Sequence, residues 1–313
     1  MAALTPDEIV RVTAHDFTRD LDLLDDEVWK LLDMTVEVKR TPKRYAQALG
    51  GKSVALLFEK PSLRTRVTFE LAVKELGGQS TFIEGRIGGR EPIKDVARNL
   101  ERWVQAIVAR TFLQDTIEEL AHWSSAPVIN ALSDRYHPCQ ALADLFTIHE
   151  HFGGLEGKRL AFIGDGNNVA HSLMLTATRL GLECAVASPR GYEPSGEIAD
   201  LARQAALVSG GRLELTADPV QAVRGAHAVY TDVWASMGHE DGAEQRRRDF
   251  QGYQVDGKLM AAARPDAIFL HCLPAKRGEE VTDSVMESAQ SRVFDQAGNR
   301  LHAQKALLLM MLA

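Results

Sequence analysis

Ser53-Val54-Ala55-Leu56-Leu57-Phe58-Glu59-Lys60-Pro61-Ser62-Leu63-Arg64-Thr65-Arg66, followed at once by an amphipathic run over 67–76, is the stretch whose reading decides the fold. An apolar segment of strand length runs into a polar turn, and the turn opens a segment with helical spacing over 64–76. Strand, turn and helix in this order form the repeating unit of a parallel α/β sheet. The same order suits an anion site, because a helix start offers unpaired N–H donors and the positive end of its dipole. Ser62, Arg64 and Thr65 would add side-chain donors, and a planar guanidinium grips phosphate bidentately. A plainer reading stays open here, in which Ser62 caps an ordinary helix and the two arginines lie on its wet face. The G-x-x-x-x-G-K-S/T spacing of a nucleotide loop is absent, so a small phosphate ester or acyl phosphate fits better than a nucleotide.

Outward from this unit the rhythm repeats. Strands are expected at 53–58, 80–83, 105–109 and 128–131, with helical spacing at 64–76, 93–103 and 115–123. A second series follows the turn signal Gly153-Gly154, with strands at 159–163, 183–187, 226–231 and 267–271. The fold class expected is α/β, with two doubly wound domains of mostly parallel sheets, linked by helices and facing each other across a cleft that holds the active site. The first domain is placed at 1–136, with a last helix (298–313) packing back on it, and the second at 137–297, including a linking helix over 137–151.

Composition agrees with two globular cores: 313 residues, 45% of them hydrophobic, exceed what one core usually holds. The net charge of -7 argues against a nucleic-acid scaffold, so any anionic ligand must meet a local cluster of arginine. No secretory signal is read at the start and no apolar run reaches membrane-spanning length, which makes a cytoplasmic protein without membrane contact the expectation. Cys139, Cys184 and Cys272 are an odd, unpatterned set, offering neither a disulfide framework nor a zinc cage.

Four further constellations carry chemistry. In His137-Pro138-Cys139-Gln140, Pro138 suits a first helical turn, and His137 and Gln140 would project from one side of it, able to address a carbonyl oxygen and an amide. Ile163-Gly164-Asp165-Gly166-Asn167-Asn168-Val169 follows a strand and precedes a helix, but Val169 occupies the third small position of a dinucleotide fingerprint, so the paired asparagines read better as binders of a polar small molecule. Asp232-Val233-Trp234-Ala235-Ser236-Met237-Gly238 places an acid, a hydroxyl and a glycine just past a strand, where ligands of open α/β sheets collect. His271-Cys272-Leu273-Pro274 ends another strand; Cys272 is open to three readings, as nucleophile, substrate-positioning group or core thiol. The basic run Arg246-Arg247-Arg248 reads as a solvated loop.

Taken together and in this order, the motifs resemble the ornithine carbamoyltransferases of the aspartate/ornithine carbamoyltransferase family along essentially the whole chain. Ser62 to Arg66 looks like that family's carbamoyl-phosphate loop, His137 to Gln140 like its H-P-x-Q, Asp232 to Gly238 like its D-x-W-x-S-M-G, and His271 to Pro274 like its H-C-L-P. The resemblance implies carbamoyl phosphate and L-ornithine as partners, no cofactor and no metal, and a homotrimer or an assembly of trimers. For carbamoyl phosphate it implies Ser62, Leu63 through its backbone, Arg64, Thr65, Arg110, His137, Gln140, Cys272, Leu273 and Arg300. For ornithine it implies Asn168, Asp232, Ser236 and Met237, with Arg110, His137 and Cys272 as the catalytic residues. Two departures stand out: Leu63 replaces a frequent threonine, and Arg86 stands where relatives often carry glutamine.

Rival readings are aspartate carbamoylation, disfavoured by the H-C-L-P and S-M-G segments; carbamoylation of N-acylated ornithine or putrescine; a dehydrogenase resting on Gly164 and Gly166 alone; and a non-catalytic paralogue that binds carbamoyl phosphate. Arginine synthesis is the expected role, with the reverse, catabolic direction sharing the same motifs.

Overall fold

The computed structural model describes residues 9–235 and 242–313, which fall into two compact units. One runs up to Phe146 and takes in Gly298–Ala313; the other is Thr147–Ala297. In chain order the first unit contains α1 (Asp25–Arg40), β1 (Ser53–Phe58), α2 (Leu63–Glu75), β2 (Gln79–Glu84), α3 (Ile93–Leu100), β3 (Ala106–Arg110), α4 (Gln114–Trp123) and β4 (Val128–Leu132). Helix α5 (Pro138–Phe152) begins in it. The second unit contains β5 (Arg159–Ile163), α6 (Asn168–Arg179), β6 (Glu183–Ala187), α7 (Gly196–Ser209), β7 (Arg212–Thr216), α8 (Pro219–Val223), β8 (Ala228–Thr231), α9 (Ala243–Asp249), α10 (Gly257–Ala262), β9 (Ile268–His271) and α11 (Asp283–Met286). Helix α12 (Val293–Leu312) returns the chain to the first unit.

Every strand pair in both sheets is parallel. The orders are β2-β1-β3-β4 and β7-β6-β5-β8-β9. In each sheet the chain first builds outward on one side and then returns to build on the other. The reversal falls between β1 and β3 in the first unit and between β5 and β8 in the second. At such a switch point the loops leaving two neighbouring strands diverge, opening a crevice at the strands' carboxyl ends. Register brings the loop origins side by side: Phe58 pairs with Arg110, and Ile163 with Thr231.

The sheets are covered by apolar helix faces, as parallel sheets require. In the first unit Leu57, Ile107 and Val128 pack with Ala97, Ile117 and Leu120. In the second, Ile163, Val229 and Phe269 join a cluster with Trp234, Phe250 and Val285. Among the described residues no helix is long and apolar enough to cross a membrane.

Strand β7 is absent from the sequence reading because it is an edge strand with no fully buried residue, so Arg212-Leu213-Glu214-Leu215-Thr216 alternates instead of running apolar. Helix α12 begins at Val293, where the sequence reading started the last helix at 298–299; Gly298 sits inside it and reads as a break. Helix α3 ends at Leu100, short of the expected 103.

One glycine explains why the dinucleotide reading fails. In the fingerprint the second glycine lets a pyrophosphate approach the backbone. Here that space belongs to the chain itself: a Cβ on Gly166 would stand 2.1 Å from the Pro194 nitrogen and 2.4 Å from the Glu193 carbonyl carbon, while the Gly166 N–H donates to the Tyr192 carbonyl at 2.8 Å. Gly166→Ala is therefore expected to cost about 1–3 kcal/mol or more of stability, the range for forcing atoms into packed space. Gly196→Ala, which meets nothing within 4 Å, is the control. Urea midpoints of the two variants check this; equal midpoints would contradict the close approach of the Glu193-Pro194 backbone to Gly166.

Candidate active site

The first crevice is built around the start of α2. Ser62 takes the N-cap position with extended backbone (φ -157), yet its hydroxyl makes no capping bond, so the plain capping reading does not account for it. The Leu63 side chain is 74% exposed, which leaves its backbone N–H as the group it can offer an anion there. Glu59, at the end of β1, accepts from the Ile87 N–H at 3.0 Å and the Phe112 N–H at 2.8 Å, tying the loops after β2 and β3 to the phosphate-type turn. Arg86, beside Ile87, is exposed.

Beneath the turn lies a buried polar group. Thr65, 1% exposed, accepts from Arg300 Nη2 at 2.6 Å, which brings α12 and α2 together inside the first unit. Arg110 closes β3 and is buried. His137 precedes α5 and is also buried; its pKa is held well below the usual imidazole value, first by burial and then by the charges of Arg300 and Arg110. It is therefore neutral, and can give one proton in a hydrogen bond without adding a charge. One turn on, Gln140 donates through Nε2 to Asp144 at 2.7 Å while its buried Oε1 has no partner among the described residues and can accept from an N–H. Burial, and then the charge of Arg110, also lowers the pKa of Lys60. Cys139, buried beneath this group with its thiol pushed up to about 12 by burial, donates to the Asn130 carbonyl and is inert.

The second crevice lies at the ends of β5, β8 and β9. Asn167 caps α6, its Oδ1 accepting from Val169 N–H at 3.0 Å and Ala170 N–H at 3.1 Å, and its Nδ2 donates to Asp232 Oδ2 at 2.9 Å. The other Asp232 oxygen accepts from the Cys272 thiol at 3.1 Å. Asp232 is thus anchored through both oxygens, and a carboxylate retains lone pairs for a cation. Asn168 opens α6 beside it. Leu273 stands in the left-handed region at φ 60, a strained position for leucine. It is held by His271, whose Nδ1 accepts from the Leu273 N–H at 2.9 Å and whose Nε2 faces the buried Glu280 at 3.1 Å. Ser236 and Met237, the remaining expected ornithine contacts, lie outside the described residues.

Ligating atoms of Asp232, His271 and Cys272 come within 4.8 Å of one another. Both ring nitrogens of His271 already have protein partners, so the trio reads as a hydrogen-bonding set and not as an ion cage. Sequence reasoning missed Asn167 as the holder of Asp232, together with Glu59, Asp144 and Glu280. Asn167 lies in a motif, Glu59 and Glu280 in turns and Asp144 inside α5, and the partner of each is distant in sequence or hidden by burial.

Known proteins share both halves. Residues 15–150 match the carbamoyl-P binding domain of aspartate/ornithine carbamoyltransferase, and residues 156–311 match the Asp/Orn binding domain. An ornithine carbamoyltransferase of Anoxybacillus flavithermus is 50% identical over 309 residues, spanning 97% of this chain and 98% of the relative. One of Pyrococcus furiosus named as anabolic is 47% identical, spanning 97% and 98%. The solved ornithine carbamoyltransferase of Pyrococcus furiosus superposes with a TM-score of 0.93 at 48% identity, covering 97% of this chain and 99% of that one. With both domain models matched in order and near-complete coverage of its relatives, the chain belongs to the aspartate/ornithine carbamoyltransferase family.

Proposed function

We propose that this chain transfers the carbamoyl group of carbamoyl phosphate to the δ-amine of L-ornithine, giving L-citrulline and phosphate, in the anabolic direction of arginine synthesis and in the cytoplasm. The observation that carries the reading is a neutral, buried His137 set among guanidinium groups beside the free acceptor of Gln140. That set matches an uncharged carbamoyl group joined to a charged phosphate.

Ser62, the Leu63 N–H, Arg64, Thr65 and Arg110 hold the phosphate. Thr65, Arg110 and His137 face the carbonyl oxygen, and the Gln140 Oε1 and the Leu273 carbonyl accept from the carbamoyl NH2, with Arg300 closing the site. Asp232 takes the α-ammonium of ornithine, Asn168 and the Met237 backbone take its α-carboxylate, and Ser236 and Cys272 lie near the δ-amine. That amine, with an ordinary value near ~10.4, must first lose a proton. Its lone pair then attacks the carbamoyl carbon, forming the C–N bond and driving the carbonyl electrons onto oxygen. Arg110 and His137 stabilise this oxyanion. Collapse breaks the bond to the phosphate oxygen, and that oxygen takes up the second proton of the attacking nitrogen, so phosphate leaves as the hydrogen phosphate dianion that the arginines balance.

The assembly we propose is a homotrimer. Leu63, Val67 and Leu71 recur at i, i+4 and i+8 on one face of α2, exposed to 74%, 40% and 38%, beside the edge strand β2 with Ile83 at 44%. Such a stripe is a contact surface in search of a partner. Val67→Glu is expected to lower the mass seen by light scattering from three chains towards one.

Two kinetic predictions separate the half-sites. Arg64→Ala should raise KM for carbamoyl phosphate by about tenfold or more, as loss of a charge-assisted bond implies. Asp232→Ala should spare carbamoyl-phosphate binding, measured by calorimetry, and abolish citrulline formation. Equal loss of both ligands in each variant would contradict the assignment.

The pH dependence follows from His137. Its folded pKa lies below its unfolded value of about 6.5, so the unfolded chain binds the extra proton and stability falls as the pH drops through that value. Urea midpoints should therefore fall between pH 7.5 and 5.5 by less in His137→Gln than in the parent. An identical fall would mean that His137 is charged in the folded chain.

A further inference from the structure

Arg246 lies outside every motif of the site, eight residues past Gly238, within a run that reads as a wet loop. The structure places it elsewhere. Its Nη1 donates to Asp165 Oδ2 at 2.9 Å and to the Trp234 carbonyl at 2.6 Å. Its guanidinium carbon stands 4.9 Å from the centre of the Tyr192 ring, within cation–π range. Tyr192 is itself held: its hydroxyl donates to Asp249 Oδ2 at 2.8 Å, its ring meets Phe250 edge-on at 4.8 Å, and Phe250 stacks on Trp234 at 5.4 Å. The neighbouring arginine differs: Arg247 meets the exposed-side partner Glu279 and touches none of these groups.

Asp165 belongs to the turn after β5 and Trp234 to the turn after β8, the two turns that flank the switch point. On their inner side they are joined by Asn167 donating to Asp232. Arg246 joins them a second time. One side chain therefore fixes the spacing between Asp232 and the opening residue of α6, Asn168.

Resting on the reading of this crevice as the ornithine site, we infer that Arg246 is a positioning and specificity residue for the α-amino acid end of the second substrate. It sets the separation at which an ammonium on Asp232 and a carboxylate on Asn168 are held together. A substrate with both groups gains from that spacing, whereas a diamine lacking the carboxylate does not. Arg246 touches neither group, so the chemical step is left alone.

The test is steady-state kinetics of the full-length enzyme with R246Q, R246K and D165N, using ornithine and putrescine as amines. R246Q is expected to raise KM for ornithine about tenfold or more, with KM for carbamoyl phosphate and kcat within about twofold. Its preference for ornithine over putrescine should narrow by a similar factor. R246K, which keeps the charge and can donate to both oxygens, should recover part of the loss, and R246Q/D165N together should be little worse than either alone, as members of one network behave. An unchanged ornithine KM in an active R246Q enzyme overturns the inference. So does a parallel rise in both KM values with a lowered thermal midpoint, which would mark a merely structural residue. If the parent enzyme forms no citrulline, the functional reading itself falls and the inference with it.

Discussion

The reversal of strand order at β1/β3 and at β5/β8 is the constraint on which the rest of the molecule depends. A parallel strand can be added to a sheet only through a right-handed crossover, so the side on which each new strand is laid decides the face its helix covers. When the side changes, two adjacent strands end in loops that run to opposite faces, and nothing fills the gap between them. Both candidate half-sites sit in such gaps. Phe58 beside Arg110 and Ile163 beside Thr231 are register facts, settled by backbone hydrogen bonds before any side chain acts.

What turns a gap into a site is the way loose loops are fixed to it, and the means recurs. A carboxylate at a strand end or in a following loop accepts from donors on another segment. Glu59 takes the N–H groups of Ile87 and Phe112; Asp232 takes the Asn167 amide and the Cys272 thiol; Glu280 faces His271 and accepts from the Lys276 N–H. A buried or half-buried carboxylate with several donors is costly to disturb, since losing one donor leaves a charged acceptor partly unsatisfied. The strained Leu273 is affordable on the same ground: His271, itself fixed by Glu280, holds its N–H.

Much of this was legible in the sequence, for identifiable reasons. Strands β5 and β6 agree with the expected bounds to the residue because they are interior strands, where apolar runs end sharply at turns. The edge strand β7 was not legible, since one polar edge removes the apolar run that signals a buried strand. The candidate residues in contiguous motifs, Ser62 to Thr65 and His137 to Gln140, stand out because each motif joins a strand end to a helix start. Arg246 does not, because its meaning rests on Asp165 and Trp234, which no periodicity connects to it. Nor does the neutral state of His137, which follows from burial and two arginines brought from other elements.

The two half-sites also differ in electrical character, and the difference follows from their partners. In the first, cations accumulate while the titratable His137 is kept neutral; in the second, an acid accepts from neutral donors, Asn167 and Cys272. A chain of net charge -7 attracts no anion as a whole, so on the proposed assignment the phosphate affinity is built locally, from Arg64 and Arg110. The same logic governs the amine. Ornithine carries two ammonium groups of which one must stay charged to be recognised and the other must become neutral to react. An uncompensated carboxylate stabilises a cation close to it, and guanidinium groups destabilise one. On the proposed assignment Asp232 favours the charged form of the α-amine, whereas an amine beside guanidinium groups is driven towards the neutral form that attacks. Selecting the amine and lowering its affinity for a proton are then two effects of one charge arrangement, with the protons passing to water and to the leaving phosphate.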